Sequence, residues 1–355
     1  MIPDFSQFSL PLNLAILAVA AVGVWIGGTS VAEFADELAR RFDLSHAVLG
    51  LFLLAGVTSL PEIATSFTAA GTGNADLAVN NLLGSIVMQV VLLALADVIF
   101  GKRALTSMVP DPSVMLQGAL NVILLSLVSI AVTVGDVLLF GAGAWSWGLL
   151  GASIYCLIKL AESGRQRKPW VVNPDDREVA EKVEGDDDTP RKHTHTGNAR
   201  LFTLLALFAA LILAAGYIVA RVGETIAEQS GLGQSFVGFV LVAITTSLPE
   251  ASTVFATMRR GFYTMAISDI LGTNILNIAL IAAVDIIDSD GPVLNRVGEF
   301  SALAAGLGIT VTGLLLMGLA ERADRTVWRM GIDSLLIVVV YAGGLALLFQ
   351  LRGGA

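Results

Sequence analysis

The sequence predicts an all-α, polytopic membrane protein whose ten transmembrane helices form two five-helix repeats of inverted topology. Three observations carry this prediction. The 355 residues are 55% hydrophobic and only 14% charged, with a mean hydropathy of +0.77, whereas a soluble domain carries about 25% charged residues. Ten apolar segments are each long enough to cross a bilayer, which takes about 20 residues. The chain also matches itself at a constant offset of 188 residues, pairing Gly28 with Gly216, Gly50 with Gly238, Gly84 with Gly272 and Asp97 with Asp285.

The apolar segments lie near 10–35, 46–70, 75–100, 113–134, 137–160, 201–227, 234–258, 262–287, 298–320 and 328–350. The first should remain in the mature protein, because Met1-Ile2-Pro3-Asp4 lacks the basic leader of a signal peptide and the segment belongs to the repeat. Residues 1–160 form the first repeat, 161–200 a hydrophilic cytoplasmic linker and 201–355 the second repeat. Five spans is an odd number, so the second copy enters the membrane from the opposite side. A binding site is then expected near the midplane where the copies meet.

Orientation follows from the loop charges, since cytoplasmic flanks collect Lys and Arg. Arg40 and Arg41, Lys102 and Arg103, Arg165, Arg167 and Lys168, Arg259 and Arg260, and Arg322, Arg325 and Arg329 all follow odd-numbered segments. Those loops are predicted inside and both termini outside, in the cell membrane.

Segments one and six carry glycines, Gly27 and Gly28 in one and Gly216 in the other, with acidic tails at Glu33, Asp36 and Glu224. Small residues let such helices slide closely past their neighbours. The acids are expected at water-facing helix ends, the alternative being a part in an ion entry path.

Segments two and seven hold the stretch around which the chain is organised. Thr58-Ser59-Leu60-Pro61-Glu62 recurs as Thr246-Ser247-Leu248-Pro249-Glu250. A glutamate at bilayer depth costs roughly 2.5 to 3.5 kcal/mol on insertion scales and so marks a functional site. A proline inside a helix removes a hydrogen bond and displaces the preceding turn, which frees carbonyls near Ala55-Gly56-Val57 and Ala243-Ile244-Thr245. Broken backbone at membrane depth survives only where it is buried in protein or lines a cavity. Carbonyls, hydroxyls and a carboxylate together make a cluster of hard oxygen donors, suited to Na⁺ or Ca²⁺.

Segments three and eight supply a facing wall. Ser85 and Gln89 share one helix face, as do Thr273 and Asn277, and Asn81 and Asp269 extend these stripes by one turn. Asp97 and Asp285, just before loops, are expected to cap or to sit at the interface, the alternative being a proton or ion relay. Segments four, five, nine and ten are nearly all apolar, apart from residues such as Asn121 and Trp145, and read as scaffold. The linker, with Asp175, Asp176, Asp186, Asp187, Asp188, His193 and His195, reads as a solvated tether, the alternative being a regulatory divalent-ion site.

Cys156 is the only cysteine, which excludes an internal disulfide and any paired-cysteine metal or redox site. A net charge of −9 argues against nucleic-acid binding.

On these residues the sequence resembles the sodium/calcium exchanger family of the cation/calcium antiporter group, in its compact prokaryotic form. The family's paired alpha-repeats read GTSLPE followed by GSNIFN-like or GSNIFD-like strings. Here they correspond to residues 55–89 and 243–277, with Gly56-Val57-Thr58-Ser59-Leu60-Pro61-Glu62 and Gly84-Ser85-Ile86-Val87-Met88-Gln89 in the first, and Thr245-Thr246-Ser247-Leu248-Pro249-Glu250 and Gly272-Thr273-Asn274-Ile275-Leu276-Asn277 in the second. The resemblance implies a ten-helix exchanger of Na⁺ for Ca²⁺, working by sliding of segments one and six over the remaining core. As ion ligands it implies Glu62 and Glu250 as shared carboxylates, Thr58, Ser59, Thr246 and Ser247 as hydroxyl or backbone donors, Ala55 and Ala243 as carbonyl donors, and Ser85 and Thr273 opposite. Gln89 stands where the family usually has asparagine, Asn277 where it often has aspartate, and Ile86 where it usually has asparagine.

The sequence therefore points to a cation antiporter exchanging Ca²⁺ for Na⁺, with Ca²⁺/H⁺ exchange on the same scaffold as the alternative. A passive channel or non-transporting scaffold is the bland reading, and no nucleophile–base pair or metal-hydrolase motif argues for an enzyme. No cofactor is expected beyond the transported ions, and function as a monomer is compatible with the sequence.

Overall fold

The computed structural model describes residues 4–41, 55–100, 104–109, 113–163, 197–259, 261, 263–288, 290–327 and 330–352. The linker acids and its two histidines lie outside the described residues, as does the start of the second predicted span. Eight helices are long and apolar enough to cross a membrane on their own, and one bent pair makes a ninth span. They are α1 (Leu10–Arg41), α3 (Ala75–Phe100), α4 (Ser113–Val134), α5 (Ala144–Ser163), α6 (Asn198–Ser230), α8 (Tyr263–Ile287), α9 (Gly298–Glu321) and α10 (Ile332–Leu351). The remaining spans are broken. α2 is described as Ala55–Thr58 and Leu60–Gly71, and α7 runs Gln234–Val237, a π turn at Gly238–Val242, Ala243–Thr246 and Leu248–Arg259.

These elements match the predicted segments closely, because uninterrupted apolarity over bilayer thickness allows little besides a helix. Two small features escaped prediction. Hairpins β1–β2 (Leu138–Leu139 with Ala142–Gly143) and β3–β4 (Thr326–Val327 with Met330–Gly331) stand at equivalent places in the two repeats. They lie where the fifth and tenth segments were expected to begin as helix, so α5 and α10 start later.

Position in the bundle follows the sequence pattern. α3 and α8 are innermost, with 78% and 72% of their most apolar stretches buried, against 28% for α1 and 22% for α6. α5 and α10 are as peripheral, at 28% each. At 32 and 33 residues and a rise of about 1.5 Å per residue, α1 and α6 exceed the roughly 30 Å hydrocarbon layer, as long tilted helices would. They pack against each other along their length, α6 also lying against α2 and α1 against α7. Gly84 brings α3 onto α7 across the repeat boundary, where an added Cβ would lie 2.7 Å from Phe239 Cα and 2.8 Å from Ala243 Cβ.

The halves are joined by a pair of symmetry-related carboxylate clasps. Asp97, fully buried near the end of α3, accepts from Leu105 N–H (2.9 Å) and from Gly331 N–H of the second-repeat hairpin (2.8 Å). Asp285, at the end of α8, accepts from Val293 N–H (2.8 Å) and from Gly143 N–H of the first-repeat hairpin (2.7 Å). Ser146 also donates to Asp285 at 2.5 Å, and its counterpart Ser334 stands beside Asp97. Each aspartate thus caps its own loop and grips the hairpin of the other repeat, which goes beyond the capping role expected. The backbone N–H groups of the following loop and of the hairpin need acceptors, and a buried carboxylate can satisfy several at once.

Removing either carboxylate strands buried donors at about 1–3 kcal/mol apiece. Asp97→Ala and Asp285→Ala should each lower the thermal unfolding midpoint of the detergent-solubilised protein by several degrees. Asp→Asn at the same positions should cost less, since the amide oxygen still accepts.

Candidate cation-binding site

Both organising stretches break their helices at the same residue. Ser59 (φ −79°, ψ 4°) and Ser247 (φ −82°, ψ 9°) leave α-helical geometry, and Pro61 and Pro249 then enter the first turn of the following piece. Proline is tolerated there because its missing N–H has no intrahelical partner at a helix start. The two parts of α7 meet at 48°.

The break places Glu62 and Glu250 in the first turn of the helix piece that follows it. Neither has any exposed surface, and Thr58, Ser59, Ser85, Gln89, Thr246, Thr273 and Asn277 are equally buried, with Ser247 at 1%. The two carboxylates act on each other electrostatically. Polar influence on Glu62 comes from Thr246 and Ser247 of the second repeat and from Ser85 of its own, and Glu250 receives it from Thr58 of the first repeat, so each glutamate faces at least one hydroxyl of the opposite repeat. Ser85 Oγ lies 3.3 Å from Thr246 Oγ1, tying α3 to the break in α7.

The cluster holds donors, but many of its polar atoms are not engaged. All four glutamate oxygens, both hydroxyls at the break serines, the Thr273 hydroxyl and every side-chain polar atom of Gln89 and Asn277 are buried without a hydrogen-bond partner. Buried polar atoms are nearly always paired, and a lone buried carboxylate is very costly. Two carboxylates, hydroxyls and amide oxygens converging in this way match the donor set of a hard cation. The Ala243 carbonyl differs from expectation in one respect. It is engaged within its own segment, accepting from Ser247 N–H at 3.0 Å and Thr246 Oγ1 at 3.3 Å. Ala55 opens the first described piece of α2.

Glu33 is exposed near the end of α1, and Glu224 forms an ion pair with Arg221 on its own helix, half-buried. The side chain of Asp36 lies outside the described residues. Cys156 is buried and free.

The surroundings of the pair are not symmetric. On one side Thr65, Ser66 and Asn81 have no exposed surface, and Thr65 donates to the Gly216 carbonyl of α6 at 3.3 Å. On the other side their counterparts Thr253 and Asp269 are half-buried. The glycines of the sliding helices show the same difference in register. A Cβ on Gly216 would meet Ala64 at 2.6 Å, whereas one on Gly28 would meet Pro249, the counterpart of Pro61, at 2.6 Å. α6 thus contacts α2 three residues further along than α1 contacts α7, about 4.5 Å at the rise of an α-helix. The first-repeat side is thus the more tightly closed of the two at Thr65 and Asn81.

An inverted-repeat bundle with discontinuous helices meeting around buried carboxylates defines a secondary transporter. The comparisons with known proteins give the family. The family model described as sodium/calcium exchanger protein matches residues 12–161 and 200–350, so the chain belongs to that family. Among its relatives, CaxA of Alkalimonas amylolytica, named as an antiporter, is 29% identical over 322 residues, covering 89% of this chain and 92% of its own. The sodium/calcium exchanger MaX1 of Methanosarcina acetivorans is 28% identical over 304 residues, covering 77% and 82%. In three dimensions the chain is similar to the sodium-calcium exchanger NCX_Mj, with a TM-score of 0.59 at 19% identity over 95% of this chain and 99% of that one. That likeness establishes the fold of a compact exchanger.

If α1 and α6 must slide, bulk at their contact glycines should stop them. Gly28→Leu and Gly216→Leu are each expected to reduce ion flux in proteoliposomes by more than about tenfold, since overpacking a close contact costs roughly 1–3 kcal/mol, while the protein stays monodisperse in detergent. Normal flux in both variants would show that these contacts do not change during transport.

Proposed function

We propose that the protein is a Ca²⁺ antiporter in the cell membrane, using Na⁺ as counter-ion, with Glu62 and Glu250 forming one site that the two ions occupy in turn. The observation that carries this reading is the pair of fully buried glutamates whose four oxygens have no hydrogen-bond partner among the described residues. Two negative charges in a low-dielectric interior repel strongly, so the pair is stable only when neutralised. A divalent ion neutralises it, and so do monovalent ions together; water alone does not. Thr58, Ser59, Ser85, Thr246, Ser247, Thr273, Gln89 and Asn277 supply the remaining oxygens, and Ala55 and Ala243 the backbone carbonyls beside them.

Exchange follows from the same electrostatics. A loaded site has little net charge, so the helices can close over it and reopen on the other face. An unloaded pair opposes closure, which prevents uncoupled leak. The three-residue difference in register between α1 and α6 supports alternation of access, because sliding both helices by that amount would exchange the two arrangements. The loop charges favour the reading that the less tightly closed side leads to the cytoplasm, since Arg259 lies at that end of α7.

Ca²⁺/H⁺ exchange is the second reading, favoured by one observation. Gln89 and Asn277 are uncharged, so the centre holds two carboxylates, and two protons balance them as well as one Ca²⁺ does.

Glu62→Gln and Glu250→Gln should each abolish gradient-driven ⁴⁵Ca²⁺ uptake into proteoliposomes, with loss of at least about a hundredfold for removing half of a divalent ion's charge compensation. Full uptake by both variants would refute the assignment. Imposing Na⁺, K⁺ and pH gradients separately identifies the counter-ion: uptake under a Na⁺ gradient alone is expected, and uptake under a pH gradient alone would establish the proton reading instead.

A further inference from the structure

One further carboxylate, half-buried, stands beside the central pair and acts electrostatically on Glu250. Asp269 lies one helical turn before Thr273 on α8, on the same face. Its Oδ2 accepts from Thr253 Oγ1 at 3.0 Å, and the Thr253 hydroxyl also lies 2.9 Å from the Glu250 carbonyl. The other oxygen, Oδ1, is buried without a partner, as is the hydroxyl of the wholly buried Thr273.

The repeat supplies an internal control. The counterpart of Asp269 is Asn81, which is neutral, fully buried and satisfied: its Nδ2 donates to Ser66 Oγ at 3.0 Å and its Oδ1 accepts from Thr246 Oγ1 at 3.2 Å. An amide that both donates and accepts can close its own network. A carboxylate only accepts, so Asp269 retains coordinating capacity that Asn81 lacks. Asp269 is also partly exposed, whereas Asn81 has no exposed surface.

We propose that Asp269, with the hydroxyls of Thr253 and Thr273, forms an outer cation station on the Arg259 side of the central pair, holding an entering cation before it passes to Glu62 and Glu250. This rests on the reading of that pair as the transport site. Among the described residues no three acidic, histidine or cysteine side chains gather as one metal centre, so Asp269 is a separate step along the path and not a third ligand of a compact site. The station exists on one face only. The exchanger is therefore electrostatically asymmetric, its structural pseudo-symmetry notwithstanding, and draws cations more strongly from the face that Asp269 overlooks.

The test is ⁴⁵Ca²⁺ flux by the full-length protein in proteoliposomes of uniform orientation, with Ca²⁺ titrated at each face in turn. Asp269→Asn should weaken the apparent affinity at the Arg259 face by at least about tenfold, equivalent to 1.4 kcal/mol, and leave the opposite face unchanged. Asp269→Glu should keep most of the affinity, and Asn81→Asp should strengthen binding at the other face. Unchanged affinity at both faces, or an equal loss at both, overturns the proposal, as does an Asp269→Asn protein that is not monodisperse, which would make the residue structural. These outcomes are distinct from failure of the central reading, which is signalled by transport in Glu62→Gln and Glu250→Gln.

Discussion

Two carboxylates share a buried centre in which no described residue makes a hydrogen bond to them, and the rest of the structure is arranged around that electrostatic demand. Ordinary buried charges are stabilised by a permanent partner. Here the partner must come and go, so the protein keeps arginine and lysine away from Glu62 and Glu250 and surrounds them with groups that only tune: hydroxyls, amides and the ends of broken helices. The breaks at Ser59 and Ser247 matter for the same reason. A continuous helix would have saturated its own carbonyls and directed both glutamates along one cylinder, whereas each break re-aims the chain beside a carboxylate.

That demand sits inside a frame that must be rigid in one part and loose in another. The inner helices α3 and α8 are almost surrounded by protein and are tied across the repeats by the Asp97 and Asp285 clasps. α1 and α6 face lipid over most of their surface and meet the core through glycines. Bonds that hold a hairpin to a helix end resist separation of the halves, while flat glycine contacts resist sliding far less. Stability and transport thus draw on different residues, which lets substitutions at one leave the other largely intact.

Pseudo-symmetry is the economical way to give one site two routes of access, but the two copies have diverged where it counts. Asn81 closes its side with a complete hydrogen-bond network; Asp269 leaves an oxygen unused. A difference of one amide against one carboxylate at corresponding positions changes the field along one route only, so the two faces need not bind ions equally even though the helices superpose in order.

Much of this was already present in the order of the residues. Apolar length set the helices, because a bilayer leaves the backbone no other partner than itself. The 188-residue offset with an odd number of spans set the inversion, and a glutamate behind a proline, twice, marked the centre. The hairpins at 138–143 and 326–331 were not legible, since a two-residue strand is too short to show a period. The double role of Asp97 and Asp285 was hidden as well, because the donors Gly331 and Gly143 are more than a hundred residues away and are backbone groups that leave no trace in side-chain pattern. Only the tertiary structure decided which hydroxyls face which glutamate, that the Ala243 carbonyl is already engaged, and that Asp269 keeps some exposure where Asn81 has none. The register between α1 and α7, and between α6 and α2, is a property of two packed surfaces that can slip by a turn at little cost, and a sequence compatible with both positions cannot specify which one is occupied.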